Sequence, residues 1–338
     1  MSVEENPPRA SQDYHRVAET YGGSTVLITG GRGYIGAALA QRLALVDCEL
    51  VLLDRSPGNA WKPANASGTV RFAQADVTQR KTWNEVLPNT DYVFHLAACE
   101  HTHGSDHDPI HDLEANAISV LYLVETCREQ GLSPKIVLAS SANIFGCVDS
   151  VPVNEETPDD PLTLFSIHKR TAENYLRLHA MSGDLRSVSL RLANVYGPTA
   201  RVDLMPRVVL NRLIMQAIKG ETLSLYANHD CVRDYVFIDD VVSAFLLAGS
   251  SEVVSRGQVF VIGSEHGHAI ADVVRLVATR VARRTGRETS IRSDASVTIG
   301  PAELRNFVAD ASRFRSATGW SPTIDLEQGV EKTIEALV

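Results

Sequence analysis

Apolar, β-branched runs alternate with stretches of helical spacing along most of the chain. The runs predict strands at residues 24–30, 48–55, 70–77, 91–98 and 187–197, and a strand that runs into a loop at 135–146. Apolar positions three and four residues apart predict helices at residues 33–46, 110–131 and 164–181. Because the strands are almost continuously apolar, both faces of their sheet must be covered, which is typical of parallel sheets. The pattern therefore predicts an α/β fold with a Rossmann-type, doubly wound parallel sheet.

The pattern becomes less regular after residue 198. Short strands are predicted at residues 223–226, 234–238 and 258–263, among helices at 205–219, 239–249, 269–284 and 325–337. We predict a polar N-terminal extension at residues 1–23 and a Rossmann domain at 24–198. A smaller, mixed C-terminal substrate-binding portion follows at 199–338, and some of its segments return to the Rossmann sheet.

Composition and charge narrow the class of protein. The 338 residues are 44% hydrophobic and 22% charged, with a formal net charge of −9. This acidic balance disfavours nucleic acids and anionic membranes as partners. The sequence contains no apolar run of about 18 residues, which a membrane span needs, and no secretory signal core. Five cysteines without a CxxC pattern indicate reduced thiols, so we expect a cytoplasmic protein.

The stretch TGGRGYIG places Gly30, Gly33 and Gly36 directly after a predicted strand and at the start of a helix. Such glycines permit a tight turn, a close approach of the backbone to a pyrophosphate, and close packing of the helix on the strand. Asp54 ends the second strand, where a carboxylate binds ribose hydroxyls and repels a 2′-phosphate. We predict an NAD site rather than an NADP site, although Arg55 beside the acid weakens this preference.

Further motifs follow in a characteristic order. They are ADV (75–77), HLAA (95–98), SSANIFG (140–146), RLANVYGP (191–198), RDYVFIDDVV (233–242) and TGWSPTIDLEQGV (318–330). Together with the glycine turn, they resemble the extended short-chain dehydrogenase/reductase family of NAD-dependent nucleotide-sugar epimerases and dehydratases. The resemblance covers roughly residues 24–335. It implies a nucleotide-diphosphate sugar as substrate and a homodimer formed by the helices near residues 110–131 and 164–181.

The motifs and this resemblance assign candidate binding residues. For the cofactor they are Gly30, Gly33, Tyr34, Ile35, Gly36, Asp54, Arg55, Asp76, Val77, Leu96, Ala97, Ala98, Asn116 and Lys169. For the substrate they are Asn143, Asn194, Arg201, Arg207, Arg233 and Arg305. The four arginines could converge on a diphosphate, which a guanidinium group binds in bidentate fashion. Arg233, within RDYVFID, has the clearest match to the family.

The stretch FSIHK departs from the family. Its members carry a YxxxK motif, in which the tyrosine exchanges a proton with a sugar hydroxyl and the lysine supports it. Here Phe165 stands at the tyrosine position and Lys169 follows one helical turn later. The resemblance also places Ser141 at the catalytic serine position. Phenylalanine cannot exchange a proton, so another group must replace the tyrosine or the chemistry must do without it.

Candidate replacements lie nearby in the sequence. His168 comes three residues after Phe165, close to the same helical face. The stretch CEHTH follows HLAA and offers Cys99, Glu100 and His101, together with His103. The stretch HTHGSDHDPIH matches no standard metal-ligand spacing, so we predict no metal site there.

The sequence leaves several functions open. The family's 4,6-dehydratases carry an Asp-Glu pair in the serine loop, where this chain has Ala142 and Asn143, so the loop is more like that of a 4-epimerase. We therefore expect an NAD-dependent nucleotide-sugar epimerase or oxidoreductase that works through a keto-sugar with a non-tyrosine base. The alternatives are a non-catalytic homologue that binds NAD and a nucleotide sugar, or a nucleotide-sugar dehydratase. A reductase acting on a non-nucleotide substrate is disfavoured by Asn194 and Arg233.

Overall fold

A seven-stranded sheet forms the centre of the protein. The computed structural model describes residues 17–56, 62–99, 108–294 and 296–338. The sheet contains β1 (Thr25–Thr29), β2 (Glu49–Asp54), β3 (Thr69–Gln74), β4 (Tyr92–His95), β5 (Lys135–Ser141), β6 (Arg186–Leu192) and β10 (Arg256–Ile262). Their order is β3-β2-β1-β4-β5-β6-β10, and every neighbouring pair is parallel. The predicted Rossmann-type sheet is confirmed.

Helices cover both faces of this sheet. They are α1 (Tyr34–Leu43), α2 (Arg80–Val86), α3 (Pro109–Leu113), a π-helical turn (Glu114–Ile118), α4 (Ser119–Gln130), α5 (Leu164–Met181) and α7 (Ile238–Ser250). Alternate strand residues point to opposite faces. Val26 and Ile28 pack in one apolar cluster with residues of α1 and α7, whereas Leu27 packs in another with residues of α2, α4 and α5.

The C-terminal portion has smaller sheets and its own apolar cluster. β7 (Asn194–Tyr196) pairs with β9 (Val232–Phe237), which also pairs with β11 (Gly267–Ala269), and β8 (Leu223–Leu225) pairs with β12 (Ile291–Ser293). Helices α6 (Val209–Lys219), α8 (Ile270–Thr285) and α10 (Leu326–Glu335) bury their apolar faces together. Helix α9 (Ser312–Thr318) packs instead on the core of the main sheet.

The observed elements differ from the prediction at a few places. The predicted strand at 187–197 is two strands in two different sheets, with Ala193 between them. This break carries the chain from the main sheet into the C-terminal portion. Helices α2 and α9 were missed, because each has only seven residues and therefore little apolar periodicity. Strand β10 lies beyond residue 198, in the predicted C-terminal portion, and is part of the main sheet.

The end of the predicted N-terminal extension belongs to the core. Residues 17–21 are helical, and Tyr21 is completely buried. Its ring contacts Tyr92 and Phe94, with ring centroids 4.7 and 6.1 Å away, and its hydroxyl donates a hydrogen bond to the Leu246 carbonyl at 2.7 Å. The segment therefore bridges strand β4 and helix α7.

Removing the Tyr21 ring should destabilise the whole domain. Tyr21→Ala should lower the free energy of unfolding by roughly 3–5 kcal/mol, because it leaves a cavity the size of an aromatic ring. Tyr21→Phe removes only one hydrogen bond and should cost about 1 kcal/mol. Urea denaturation of the purified proteins measures both values. Tyr226→Ala is a matched control, because Tyr226 is 39% exposed. A Tyr21→Ala protein as stable as this control would contradict the packing described.

Candidate active site

The glycine turn after β1 is tightly enclosed. Gly30 has φ +62°, a left-handed conformation that glycine adopts without strain. A Cβ atom on Gly30 would lie 2.9 Å from the Ala97 nitrogen, and one on Gly36 would lie 2.1 Å from the Gly30 oxygen. Helix α1 begins after Gly33 without a side-chain cap. Its first N–H groups are therefore available to an anion, and the turn fits the pyrophosphate of a dinucleotide.

Asp54 ends β2 beside this turn. Its carboxylate accepts hydrogen bonds from the Arg32 and Ser56 backbone N–H groups, at 3.3 and 3.0 Å. The Arg32 guanidinium lies over the Phe72 ring, 5.4 Å from its centroid. Arg55, the residue that weakens the NAD preference, forms a 2.7 Å hydrogen bond with His111. The carboxylate therefore stands at the glycine turn, in the position that suits an adenosine ribose.

The other predicted cofactor residues line the same edge of the sheet or support it. The Asp76 carboxylate accepts the Thr78 N–H at 2.9 Å, and Val77 is buried. Leu96, Ala97 and Ala98 follow β4, and the Ala97 N–H donates to the Thr29 hydroxyl at 3.2 Å.

Tyr34 and Ile35 face the C-terminal portion. The Tyr34 hydroxyl donates to the Gly197 carbonyl at 2.7 Å, and the side chain of Ile35 packs against two apolar clusters. Burial raises the pKa of Tyr34, so this phenol stays protonated. The two side chains thus connect helix α1 to the chain after β7.

Lys169 and Phe165 lie one turn apart on helix α5. The helix begins with a capping box formed by Thr163 and Ser166. The buried Lys169 ammonium donates to the Ala139 carbonyl of β5 at 2.9 Å and lies 5.7 Å from the centre of the Phe165 ring. Ser141, the last residue of β5, accepts the Asn143 N–H at 3.1 Å. The serine, the lysine and the aromatic ring are therefore held by one strand and one helix.

Asn116 lies in the π-helical turn and is almost completely buried. Its amide nitrogen donates to the Cys99 carbonyl at 2.7 Å and to the Asp112 carboxylate at 3.0 Å, and its amide oxygen accepts the Cys99 N–H at 3.4 Å. Such turns are frequent at functional sites. Here the asparagine fixes the backbone directly after HLAA. Burial, and then the charge of Asp112, raises the pKa of the Cys99 thiol, so this group stays protonated and does not accept a proton.

His168 forms a buried pair with Asp112. Its Nδ1 atom lies 2.6 Å from the Asp112 Oδ1 atom, and the exposed fractions of the two side chains are 10% and 1%. The pair joins helix α5 to helix α3, beside Lys169 and one turn from Asn116. The sequence singled out His168 but not its partner, because DLEAN gives no local signal of a contact between two helices.

The predicted substrate residues form two groups. Arg233 donates to the backbone carbonyls of Val232, Glu303 and Arg305, and Arg305 donates to the Asn143 side chain at 2.5 Å. Asn194 donates to the Asp234 carbonyl at 3.0 Å. This first group joins the serine loop to strand β9 and to the segment before Phe307.

The second group lies elsewhere. Arg201 pairs with Asp203 at 2.7 Å and donates to the Arg32 carbonyl at 3.0 Å, so it sits at the glycine turn. Arg207 is exposed at the end of a 3₁₀ turn, Val202–Arg207. Of the four predicted arginines, Arg233 and Arg305 therefore contact each other, whereas the contacts given for Arg201 and Arg207 do not include them.

Three predicted candidates, Glu100, His101 and His103, lie outside the described residues. Most of the histidine-rich stretch HTHGSDHDPIH lies there as well. Among the described residues, no group of three or more His, Cys, Asp or Glu side chains could hold a metal ion.

An ionic cluster beside the site was not predicted from the sequence. Arg191 contacts Glu173 at 2.7 Å and Asp159 at 2.5 Å, and Glu173 also accepts the Ser140 hydroxyl at 2.5 Å. The cluster fixes helix α5 on β5 and β6, next to Ser141. Its signal was present in the sequence, since a buried acid on a helix and an arginine within an apolar strand both need partners.

Fold and site together define a dinucleotide-dependent enzyme of the Rossmann class. The sequence pattern of the "NAD dependent epimerase/dehydratase family" matches residues 26–263. The chain belongs to this family, and NAD is its cofactor. The glycine turn and Asp54 fit that cofactor in their geometry.

Named relatives show the same likeness over nearly the whole chain. The UDP-glucose 4-epimerase of Mycolicibacterium smegmatis is 29% identical, across 91% of this chain and 97% of the relative. The UDP-glucose 4-epimerase of Thermotoga maritima, solved with UDP-glucose, has a TM-score of 0.80 and 26% identity, over 93% of this chain and 98% of that chain. The Thermus thermophilus UDP-glucose 4-epimerase, solved with NAD, has a TM-score of 0.77 and 29% identity, over 92% and 98%. In the described part of this chain, no helix has the length and apolarity needed to cross a membrane.

Filling the glycine turn should weaken cofactor binding. Gly36→Ala places a methyl group against the Gly30 oxygen and should weaken NAD binding at least about tenfold, because helix α1 must move away from the pyrophosphate site. Isothermal titration calorimetry with NAD measures the effect. Gly300→Ala is the matched control, because a Cβ there meets no atom within 4 Å. Unchanged NAD affinity in a folded Gly36→Ala protein would show that the cofactor binds elsewhere.

Proposed function

We propose that this protein is an NAD-dependent nucleotide-diphosphate-sugar epimerase or oxidoreductase. It acts through transient oxidation of the sugar to a keto-sugar, and its proton acceptor is not a tyrosine. One observation carries the proposal. Lys169 is held on β5 by the Ala139 carbonyl, two residues before Ser141, and lies 5.7 Å from the centre of the Phe165 ring. The site thus keeps the groups that orient a sugar hydroxyl and a nicotinamide, and lacks only the phenolic oxygen.

Each retained group has a role in this chemistry. Bound NAD supplies a hydride acceptor that later returns the hydride. Lys169 provides a fixed positive charge, which favours an alkoxide-like oxygen nearby. The Ser141 hydroxyl oxygen accepts the Asn143 N–H, so its own proton is available to the reacting oxygen of the sugar.

The loss of the phenol has an energetic consequence. General acid–base catalysis typically contributes about 10²–10⁴-fold, or roughly 3–5 kcal/mol of barrier. A phenylalanine keeps the ring and its contact with Lys169 but contributes nothing to proton transfer. Turnover therefore requires a second proton acceptor.

The substrate is a nucleotide-diphosphate sugar in this proposal. Arg233 is buried, and each of its hydrogen bonds described above goes to a backbone carbonyl. These contacts include no acidic side chain that would neutralise its charge. A diphosphate would supply that neutralisation, with Arg305 and Asn143 beside it. UDP-glucose is the first compound to test, because similar proteins are named for it.

Two other functions remain for comparison. A dehydratase needs an acid and a base for the elimination of water, but the serine loop offers only Ala142 and Asn143, and the latter is bound by Arg305. Of the observations above, only Phe165 favours a non-catalytic protein that binds NAD and a nucleotide sugar. It would have no need of the buried Lys169 beside Ser141 for proton chemistry.

The activity should appear in a substrate panel. Uridine-, thymidine-, guanosine- and cytidine-diphosphate sugars are incubated with the purified protein and NAD. We expect reduced-nicotinamide absorbance or an altered sugar, seen by NMR, for at least one member. Tight binding of one member without turnover would instead establish the non-catalytic function.

A pair of arginine variants tests the diphosphate site in the same assay. Arg233→Gln should raise KM for the active member by about 10–100-fold, because a charged hydrogen bond is worth roughly 1.5–3 kcal/mol. Arg283→Gln, at an exposed position near the end of α8, should leave KM unchanged.

We also infer a homodimer, and we place the activity in the cytoplasm, where its five cysteines, none of which forms a disulfide, would stay reduced. Helix α5 exposes Ile167 and Leu178, which are 43% and 61% exposed and lie on the same helical face, three turns apart. Ile110, on α3, is 64% exposed. Apolar side chains exposed on two neighbouring helices support an interface there.

A charge on this face should separate the subunits. Leu178→Glu should convert a dimer into a monomer, because the interface would bury an unpaired carboxylate. Light scattering coupled to size exclusion measures the mass. Ile291→Glu is a matched control, since Ile291 is 38% exposed and lies on β12, in the separate sheet that β12 forms with β8. Dimers in both variants, or a monomeric parent protein, would contradict this interface.

A further inference from the structure

We propose that His168 is the proton acceptor that replaces the missing tyrosine, and that Asp112 is the residue that positions it. This inference rests on the proposed function and names the group that the function requires. The observation behind it is the pair itself. The Nδ1 atom of His168 lies 2.6 Å from the Asp112 carboxylate, and both side chains are buried.

The pair stands at the site rather than at a distance from it. His168 directly precedes Lys169 and lies less than one turn after Phe165, on the same side of helix α5. Asp112 lies one turn before Asn116, whose amide nitrogen donates to the same carboxylate at 3.0 Å. The Asp112 carboxylate is thus held by Asn116 and by His168. Its contact with Nδ1 fixes the orientation of the imidazole ring.

The second ring nitrogen of His168 is available. Nδ1 is engaged by Asp112, whereas Nε2 makes no hydrogen bond within the described ranges, and the side chain is 10% exposed. An imidazole whose Nδ1–H is held by a buried carboxylate has Nε2 as its basic atom. This is the arrangement that a general base needs.

Other described groups near Lys169 are less suitable. His95 is buried and hydrogen-bonded at both ring nitrogens, to the Thr29 and Ser119 hydroxyls. Burial, together with the charge of Lys169, lowers the pKa of His95 to about 3, so it does not take up a proton near neutral pH. The Cys99 thiol stays protonated for the reason given above. His168 differs from both because an acid faces it.

The proton transfer is balanced within the proposed reaction. The O–H bond of the sugar hydroxyl breaks and an N–H bond forms at His168 Nε2. The hydrogen on the same sugar carbon leaves with its electron pair as the hydride that NAD accepts, and a carbonyl remains. The imidazolium is then stabilised by Asp112. On reduction of the carbonyl, the same proton returns to the oxygen.

The decisive experiment combines substitutions at positions 165 and 168. His168→Asn keeps an amide donor for Asp112 but has no basic ring nitrogen. It should lower kcat by about 10²–10⁴-fold while KM for the active sugar nucleotide changes little. Adding Phe165→Tyr to this variant should restore turnover to within about tenfold of the Phe165→Tyr single variant, because the phenol again supplies the proton acceptor. His179→Asn is a matched control, since His179 lies on the same helix as His168 and also pairs with an acid, Asp184.

The result that overturns the proposal is equally specific. If kcat of folded His168→Asn equals that of the parent, His168 is not the base. If the Phe165→Tyr, His168→Asn double variant is as inactive as His168→Asn, the histidine has only a structural role. Asp112→Asn should lower kcat without raising KM, as expected of a positioning residue, and a rise in KM alone would contradict that role.

A measurement without turnover separates this inference from the proposed function. Diethylpyrocarbonate modifies accessible imidazole nitrogens, and peptide mass spectrometry resolves His168 from His179. UDP-glucose with NAD should slow modification of His168 several-fold and leave that of His179 unchanged. Equal rates at His168 with and without these ligands, once calorimetry shows that they bind, would overturn the proposal. A parent protein that binds nucleotide sugars but turns none over refutes the proposed function itself, and the role of His168 with it.

Discussion

The parallel alignment of all seven strands in the main sheet is the constraint on which the site depends. The carboxyl ends of parallel strands meet at one edge, and ligands bind where the strand order reverses. Here β1 has β2 on one side and β4 on the other, so the chain winds away from β1 in both directions. Gly30 after β1 and Ala97 after β4 therefore approach each other so closely that a Cβ atom would not fit between them. Ser141 ends β5 on the same edge.

The sequence predicted those parts of the molecule that local pattern determines. Helix α5 matches its predicted bounds, because Thr163 and Ser166 form a capping box and the apolar positions recur with helical spacing. The glycine turn is equally local, since each glycine is needed for a contact within a few residues or with the adjacent strand. Asp54 follows from the same βαβ unit.

Contacts between distant segments could not be predicted in this way. Tyr21 reaches a carbonyl 225 residues away, and His168 meets an acid 56 residues away. Both depend on how helices lie across the sheet, which no short pattern encodes. The arginines illustrate the same limit. Four of them were candidates for the diphosphate in the sequence, with Arg233 the clearest match to the family. Arg201 is paired with Asp203, two residues further along the chain, whereas Arg233 has only carbonyl partners in the described contacts.

In the proposed function, Phe165 stands where the family has a tyrosine, and this difference is as small as an aromatic site permits. Phenylalanine preserves the ring, its packing and its contact with Lys169, and it removes one oxygen atom. In the proposed function, the helix, the lysine and the serine therefore have no structural reason to change, and the family fold is retained around a site without the phenol. A side chain that replaces the phenol must lie within the site to reach the sugar. It also needs a partner of opposite charge, since an unpaired buried charge costs several kcal/mol. On helix α5 a histidine that faces a carboxylate meets both conditions, because the acid stabilises the charged imidazole only after the proton has arrived.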